Sequence, residues 1–339
     1  MPLNNSRRPW LLVAFVAAAL LTLAACGGDD DAAKDAVFSP QNNQLDLYDI
    51  ETGVKTVLIP EERNHVNGQV CLVPGGDGNF LLGEDTGQPE QRMGWGIFTP
   101  QGELVQKIEE PRSEGEAEQP EPFGCGFDGE DRLFVTDVGS GAFGAEDGKL
   151  IVFFPPAYEE SCFLDLTLRT AGTVTIDDEG NVYVPETVPP GKVLRFAPPF
   201  PTSTSECESV PADKSTFIED PDVGTPFGLA RAPNGNWYLS SVVLPPAIRE
   251  YDANGQFVRT IVEAETGGNP AGLAVAADGT IYYADLGLEE KPPPDFFGPA
   301  ADAASVRRVT FLADGTPSMP ETIGAGLNFA DAVSILPLK

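Results

Sequence analysis

Oxygen-bearing side chains return at a nearly regular interval along this 339-residue chain. Glu84, Asp137, Glu186, Ser241 and Asp285 each close a short apolar run, and neighbours in that series stand 44 to 55 residues apart. Asp331 follows one interval later. Carboxylates gathered by a repeat could hold a hard cation, because Ca²⁺ takes about six to eight oxygen ligands from carboxylates, amides and water. The metal set to expect is therefore Glu84, Asp137, Glu186, Asp285 and Asp331, with a divalent cation such as Ca²⁺ as the candidate cofactor. The plainer role for each acid is to accept backbone N–H groups in its own turn, as short polar side chains commonly do.

Other chemistries have little to work with. His65 is the single histidine, so a Ser-His-Asp relay would have to use it. No Gly-x-Ser-x-Gly elbow, P-loop or HExxH run occurs. No catalytic residue is assigned on this reading. One histidine also leaves zinc without its usual donors. The chain holds 52 Asp+Glu against 21 Lys+Arg, a net charge of −31, which excludes a nucleic-acid binder that works by neutralising phosphates. Hydrophobic residues make up 41%, enough for a core and too many for a wholly disordered chain.

The elements that must position the acids form a repeat. Each copy reads Pro-x-Gly, a short apolar strand, a turn ending in Gly or Asn, a second apolar strand, then the closing residue. PFGLARAPNGNWYLSS (226–241) and PAGLAVAADGTIYYAD (270–285) are the clearest copies. PFGCGFDGEDRLFVTD (122–137), TAGTVTIDDEGNVYVPE (170–186) and QVCLVPGGDGNFLLGE (69–84) follow the pattern. After each copy comes an alternating hairpin with Gly in the turn, such as IREYDANGQFVRTIV (248–262). FADAVSILP (329–337) reads as a lone first strand, and three strand-like runs within 35–60 supply the rest of its blade. The expected fold is all-β: a six-bladed β-propeller over 35–339, closed by N- and C-terminal strands sharing one blade. Such closure removes open sheet edges. Trp95 and Trp237 fall within strand patterns and are expected to pack between blades.

Two insertions interrupt the pattern. Residues 109–122 are acidic and Pro-containing and read as a solvated loop. Residues 287–305 carry a Pro run and Phe296-Phe297, and they read as a loop packing its own aromatic rings rather than as a ligand lid.

Residues 1–25 read as a secretory signal, with Arg7 and Arg8 ahead of an apolar run from Trp10 to Leu23. Leu23-Ala24-Ala25-Cys26 resembles the lipobox of bacterial lipoproteins, in which the Cys becomes the acylated N-terminus. The resemblance implies a membrane anchor at Cys26, an acidic tether over 26–34, and a cell-envelope location, periplasmic or surface-exposed. Gly27 points to the outer membrane. Cleavage before Cys26 removes Arg7 and Arg8 and leaves 52 acids against 19 bases, or −33.

The Pro-x-Gly-Leu-Ala and Gly-Asn-x-Tyr-Val-x-Asp type motifs resemble those of NHL-repeat propellers and of gluconolactonase-like (senescence marker protein) propellers. In that family the closing residue of each copy lies near the channel mouth, so the acids could encircle one opening, with His65 and Asn67 beside it. The lactonases of the family place a Glu, two Asn-type ligands and an Asp around a divalent metal, usually just before Gly at the blade entrances. Here those positions carry Phe123, Gly172 or its neighbour, Phe227 and Ala271, and only Asp331 keeps an acid. Phe123 and Phe227 suggest an aromatic rim instead.

The repeat register also suggests a pairing for Cys71, Cys125, Cys162 and Cys207. Cys71 and Cys125 occupy the same place on neighbouring innermost strands. Cys162 and Cys207 lie in the outer hairpins of the next two blades. The expected disulfides are Cys71–Cys125 and Cys162–Cys207, in an oxidising compartment. The function to expect is a monomeric, membrane-anchored binding or interaction scaffold. Its channel mouth would take a protein, peptide or small molecule. The alternative is a Ca-type lactone hydrolase.

Overall fold

The computed structural model describes residues 34–41, 44–60, 66–84, 94–109, 111, 121–139, 145–292 and 297–338. The signal segment, Cys26, the tether up to residue 33, His65, Phe296 and most of the 109–122 insertion lie outside the described residues.

Six four-stranded antiparallel sheets make up the fold. Blade one joins the chain ends: Ser334–Leu338 is its innermost strand and pairs with Lys34–Gln41, followed by Gln44–Asp49 and Lys55–Ile59. Blade two is Val66–Leu72, Phe80–Glu84, Gly94–Phe98 and Leu104–Glu109. Blade three is Pro122–Phe127, Leu133–Asp137, Gly148–Phe153 and Ser161–Leu168. Blade four is Thr175–Ile176, Val182–Glu186, Gly191–Ala197 and Asp213–Asp220. Blade five is Pro226–Arg231, Trp237–Ser241, Ala247–Tyr251 and Phe257–Val262. Blade six is Pro270–Val275, Ile281–Asp285, Ala304–Val309 and Glu321–Leu327.

Alternation makes the blades stack. Inner and second strands are apolar on both faces, because each is covered by a neighbouring blade on either side. Among the described residues six larger apolar clusters follow, one per inter-blade interface, and a smaller seventh lies between blades five and six. Phe38, Phe80 and Phe98 join blades one and two; Trp95, Val135 and Phe153 join two and three. Phe134, Val184 and Phe196 join three and four; Tyr183, Trp237 and Tyr251 join four and five. Tyr238, Tyr283 and Val309 join five and six, and Tyr48, Ala284 and Val333 close the ring between six and one. Trp95 is fully buried edge-on to Phe153 at 5.9 Å, and Trp237 meets Tyr183 at 4.6 Å, as blade packing requires.

The disulfides Cys71–Cys125 and Cys162–Cys207 each staple neighbouring blades, spanning 54 and 45 residues of sequence. Such cross-links restrict the unfolded chain and the opening of the ring. They also indicate an oxidising, extracytoplasmic compartment. No helix among the described residues is long and apolar enough to cross a membrane.

Blade four departs from the repeat. Its inner strand shrinks to Thr175–Ile176, with an isolated bridge from Ala171 to Glu186. A side chain from two blades away meets that strand. Gln69 Nε2 donates to the Val174 carbonyl (3.0 Å), and its Oε1 accepts the amides of Val174 (2.9 Å) and Cys125 (3.2 Å). One amide thus crosses the channel and satisfies inner-strand groups that have no neighbouring strand on that side. Below it a cavity of about 440 Å³ is lined by the inner strands. Gln69→Leu is expected to cost about 1–3 kcal/mol, because those backbone groups lose their partners. Urea unfolding checks this, and a variant as stable as the parent would refute the assignment.

Candidate functional site at the channel mouth

The register defines the mouth. Val66, Pro122, Ala171, Pro226 and Pro270 pair across the sheet with the closing residues Glu84, Asp137, Glu186, Ser241 and Asp285. The next residue in each blade faces the channel entrance. In blades two to six these are Asn67, Phe123, Gly172, Phe227 and Ala271. Blade one supplies Asp331, whose carbonyl accepts the Gly272 amide as Phe227's accepts that of Thr173.

The closing acids turn back into their own blades. Asp137 Oδ1 accepts the amides of Glu121 (2.8 Å) and Gly139 (2.9 Å), while Oδ2 meets Lys149 Nζ at 2.8 Å. Asp285 Oδ1 accepts the amides of Asn269 (2.8 Å) and Gly287 (3.1 Å), and Oδ2 meets Arg307 at 2.6 Å. Glu186 accepts the Arg169 amide at 3.1 Å, and Glu84 faces Lys107 at 3.4 Å. Among the described residues no group of three or more His, Cys, Asp or Glu could hold a metal ion. The repeat spaces these acids regularly because each blade closes the same turn.

Asp331 is different. Its carboxylate reaches from blade one to blade two, where Oδ2 accepts the Gly68 amide at 3.2 Å. The other oxygen is buried without a hydrogen-bond partner. Burial pushes its pKa up to about 7, against the pull of the Gly68, Asp331 and Ala332 amides, and the Glu121 charge raises it further. Gly68 is required beside it: φ is +75°, and a Cβ there would lie 2.3 Å from the Phe123 carbonyl oxygen.

Asn67 stands at the mouth by register, yet its side chain folds between blades. Its Oδ1 lies 2.6 Å from where a Cβ on Gly83 would sit, with the Pro122 carbonyl oxygen 2.8 Å from the same point. In blades three and five that space holds the hydroxyls of Thr136 and Ser240, which donate to the Gly172 and Ala271 carbonyls of the next blade. Gly83 has no such hydroxyl, and Asn67 occupies its place.

The apolar side of the mouth is a ring pair. Phe123 and Phe227 meet edge to face at 4.7 Å across the side-chain-free Gly172. Phe227 also packs with Val242, Ala271, Leu286, Val243 and Leu288. Leu288 brings in the 287–305 insertion, whose hairpin pairs Leu288–Glu290 with Phe297–Pro299. That insertion is pinned by Asn269, whose Oδ1 accepts the Leu288 amide at 3.0 Å. Phe297 is 37% exposed.

The sequence reading missed Gln69 and Glu121. Glu121 lies in the acidic 109–122 run, yet it directly precedes a Pro-x-Gly entrance, the position Thr225 and Asn269 hold in blades five and six. That alignment was the available signal. Gln69 left none, because its partners lie 56 and 105 residues away.

No family model and no curated protein sequence matches the chain. Solved structures do. A luciferin-regenerating enzyme superposes with a TM-score of 0.57 at 12% identity, over 89% of this chain and 96% of that one. A protein of unknown function from Bacteroides caccae gives 0.56 at 12%, over 90% and 99%. A calcium-binding protein, regucalcin, from Agrobacterium tumefaciens gives 0.54 at 13%, over 86% of each. These likenesses show the fold alone, a six-bladed β-propeller. The divalent metal that such a fold implies is poorly served here. Phe123, Gly172, Phe227 and Ala271 offer no side-chain oxygen, Asn67 turns away, and Asp331 remains alone. The described residues at the mouth do not fit a metal centre.

Proposed function

We propose that this protein is a lipid-anchored cell-envelope binding propeller, held at Cys26 on the outer membrane, that receives a ligand or partner at the channel mouth without metal-dependent hydrolysis. One observation carries the reading: the Phe123–Phe227 ring pair occupies the entrance positions where a metal centre needs oxygen donors. The register supports the anchored arrangement. Lys34 pairs with Leu338, at the end of the inner strand remote from Asp331, so the chain enters the propeller on the face opposite the mouth.

A lactone hydrolase of the Ca²⁺ type is the second reading, favoured only by the buried, half-partnered Asp331. Metal analysis of the purified mature protein separates the two. Chelator is expected to leave the melting temperature unchanged and lactones to remain intact. Stoichiometric Ca²⁺, Zn²⁺ or Mn²⁺ whose removal lowers the melting temperature would overturn the first reading. Labelling of Cys26 by a fatty-acid analogue in cells tests the anchor, and crosslinking from the mouth in those cells tests for a partner.

A further inference from the structure

The mouth combines a buried carboxylate oxygen without a partner and an aromatic pair. Asp331 is 7% exposed; Gly68 donates to its Oδ2, the Asp331 and Ala332 amides pull on the carboxylate, and no donor meets Oδ1 in hydrogen-bond geometry. A buried carboxylate left half-satisfied is costly, which makes the position a receptor for a donor brought from outside. Glu121 lies close enough to act on Asp331 by its charge. Phe123 and Phe227 start the inner strands of blades three and five, on either side of blade four, which stands opposite blade one in the ring; Phe123 is buried and Phe227 is partly exposed.

The chemistry of this pairing selects among cations. A bare divalent ion asks for a shell of oxygens that the rings cannot supply. A protonated amine asks for less. It donates N–H groups to one or two carboxylates, tolerates an aromatic face beside it, and carries an apolar body that the rings can cover. The net charge of −33 after cleavage at Cys26, from 52 acids and 19 bases, draws cations toward the molecule. We propose that the mouth binds the ammonium group of an amine with an apolar or aromatic body, Asp331 holding the ammonium and Phe123 and Phe227 the body. The proposal deepens the binding reading above and rests on it.

Titration calorimetry of the purified mature protein with phenethylammonium chloride tests it, with 2-phenylethanol, phenylacetate and CaCl₂ as comparison probes. Phenethylammonium is expected to bind saturably and at least about tenfold more tightly than 2-phenylethanol, with phenylacetate excluded. Asp331→Asn is expected to weaken the amine about tenfold and leave the alcohol unchanged. Glu121→Gln is expected to weaken it about two- to threefold, with its urea-unfolding midpoint measured beside the parent's. Equal binding of amine and alcohol would overturn the amine assignment while leaving an apolar binding mouth. Absence of amine binding would overturn it too, and crosslinking would still report on the binding reading. Saturable Ca²⁺ binding lost in Asp331→Asn would sink both.

Discussion

Asp331→Asn is expected to stabilise the protein at pH 8 and to leave it nearly unchanged at pH 4. In the folded chain burial and Glu121 raise the Asp331 pKa from 3.8 to about 7. The folded state therefore keeps a proton that the unfolded chain releases near its ordinary value. A raised folded pKa means that this group's contribution is fully present below the unfolded value and is lost as pH rises through the folded one. The window runs from about pH 4 to about pH 7, and across those roughly three units the loss is on the order of 4 kcal/mol. An amide cannot ionise, so the variant escapes the loss. Urea unfolding of both proteins at pH 4, 6 and 8 measures the difference between them, which cancels every other titrating group. A difference that stays flat across the series would show that Asp331 is ionised and satisfied throughout. Glu121→Gln is expected to bring the upper end of that window to lower pH and so to shrink the loss, since it removes the like charge that raises the folded pKa. Holding a buried carboxylate that destabilises the empty protein is the kind of cost that binding sites carry, and a bound cation would offset it.

The fold was largely legible because propeller blades are built from local signals. Pro226-Phe227-Gly228 and Pro270-Ala271-Gly272 announce strand starts, Asn234-Gly235 and Asp278-Gly279 announce turns, and the alternation between them leaves few other folds open. The shared blade was legible for the same reason: Phe329 to Pro337 is an inner strand without a blade, and residues 35–60 are a blade without an inner strand. Both disulfides followed once the register placed Cys71 beside Cys125 and Cys162 beside Cys207. Side-chain direction was not legible. Register alone puts Asn67 and Asp331 in equivalent places, yet Asn67 folds away because Gly83 leaves a hole, and that hole depends on a residue one strand over. The acids misled for a related reason. Regular spacing at 84, 137, 186 and 285 looks like convergence on a ligand, but identical turns generate the same spacing. Only the donors within 3.5 Å of each carboxylate, such as Lys149 on Asp137 and Arg307 on Asp285, distinguish a closed turn from an open ligand.

Lys149→Met is expected to lower stability by about 3–5 kcal/mol, the usual cost of removing one partner from a buried ion pair. Lys149 and Asp137 are 4% and 1% exposed, so neither charge has water to fall back on. The methionine keeps the chain length and the packing but leaves Asp137 facing only the amides of Glu121 and Gly139. Arg307→Met in blade six breaks the corresponding pair with Asp285 and is expected to cost less, because the Arg307 side chain is 23% exposed and Ser305 also donates to that carboxylate. Urea unfolding of both variants, and of Lys149→Met combined with Asp137→Asn, decides between pairing and packing. If the charge pair matters, the double variant regains most of the loss, since an amide still accepts the Glu121 amide without carrying a charge. If packing matters, the double variant is as unstable as the single one. The pair also reaches the mouth. Asp137 fixes the backbone of Glu121 at the entrance to blade three, and Glu121 acts on Asp331 by charge. Lys149→Met is therefore expected to loosen the Glu121 turn and shift the pH at which Asp331 weakens the fold, whereas Arg307→Met, which leaves the Glu121 turn untouched, is expected to leave that pH where it was.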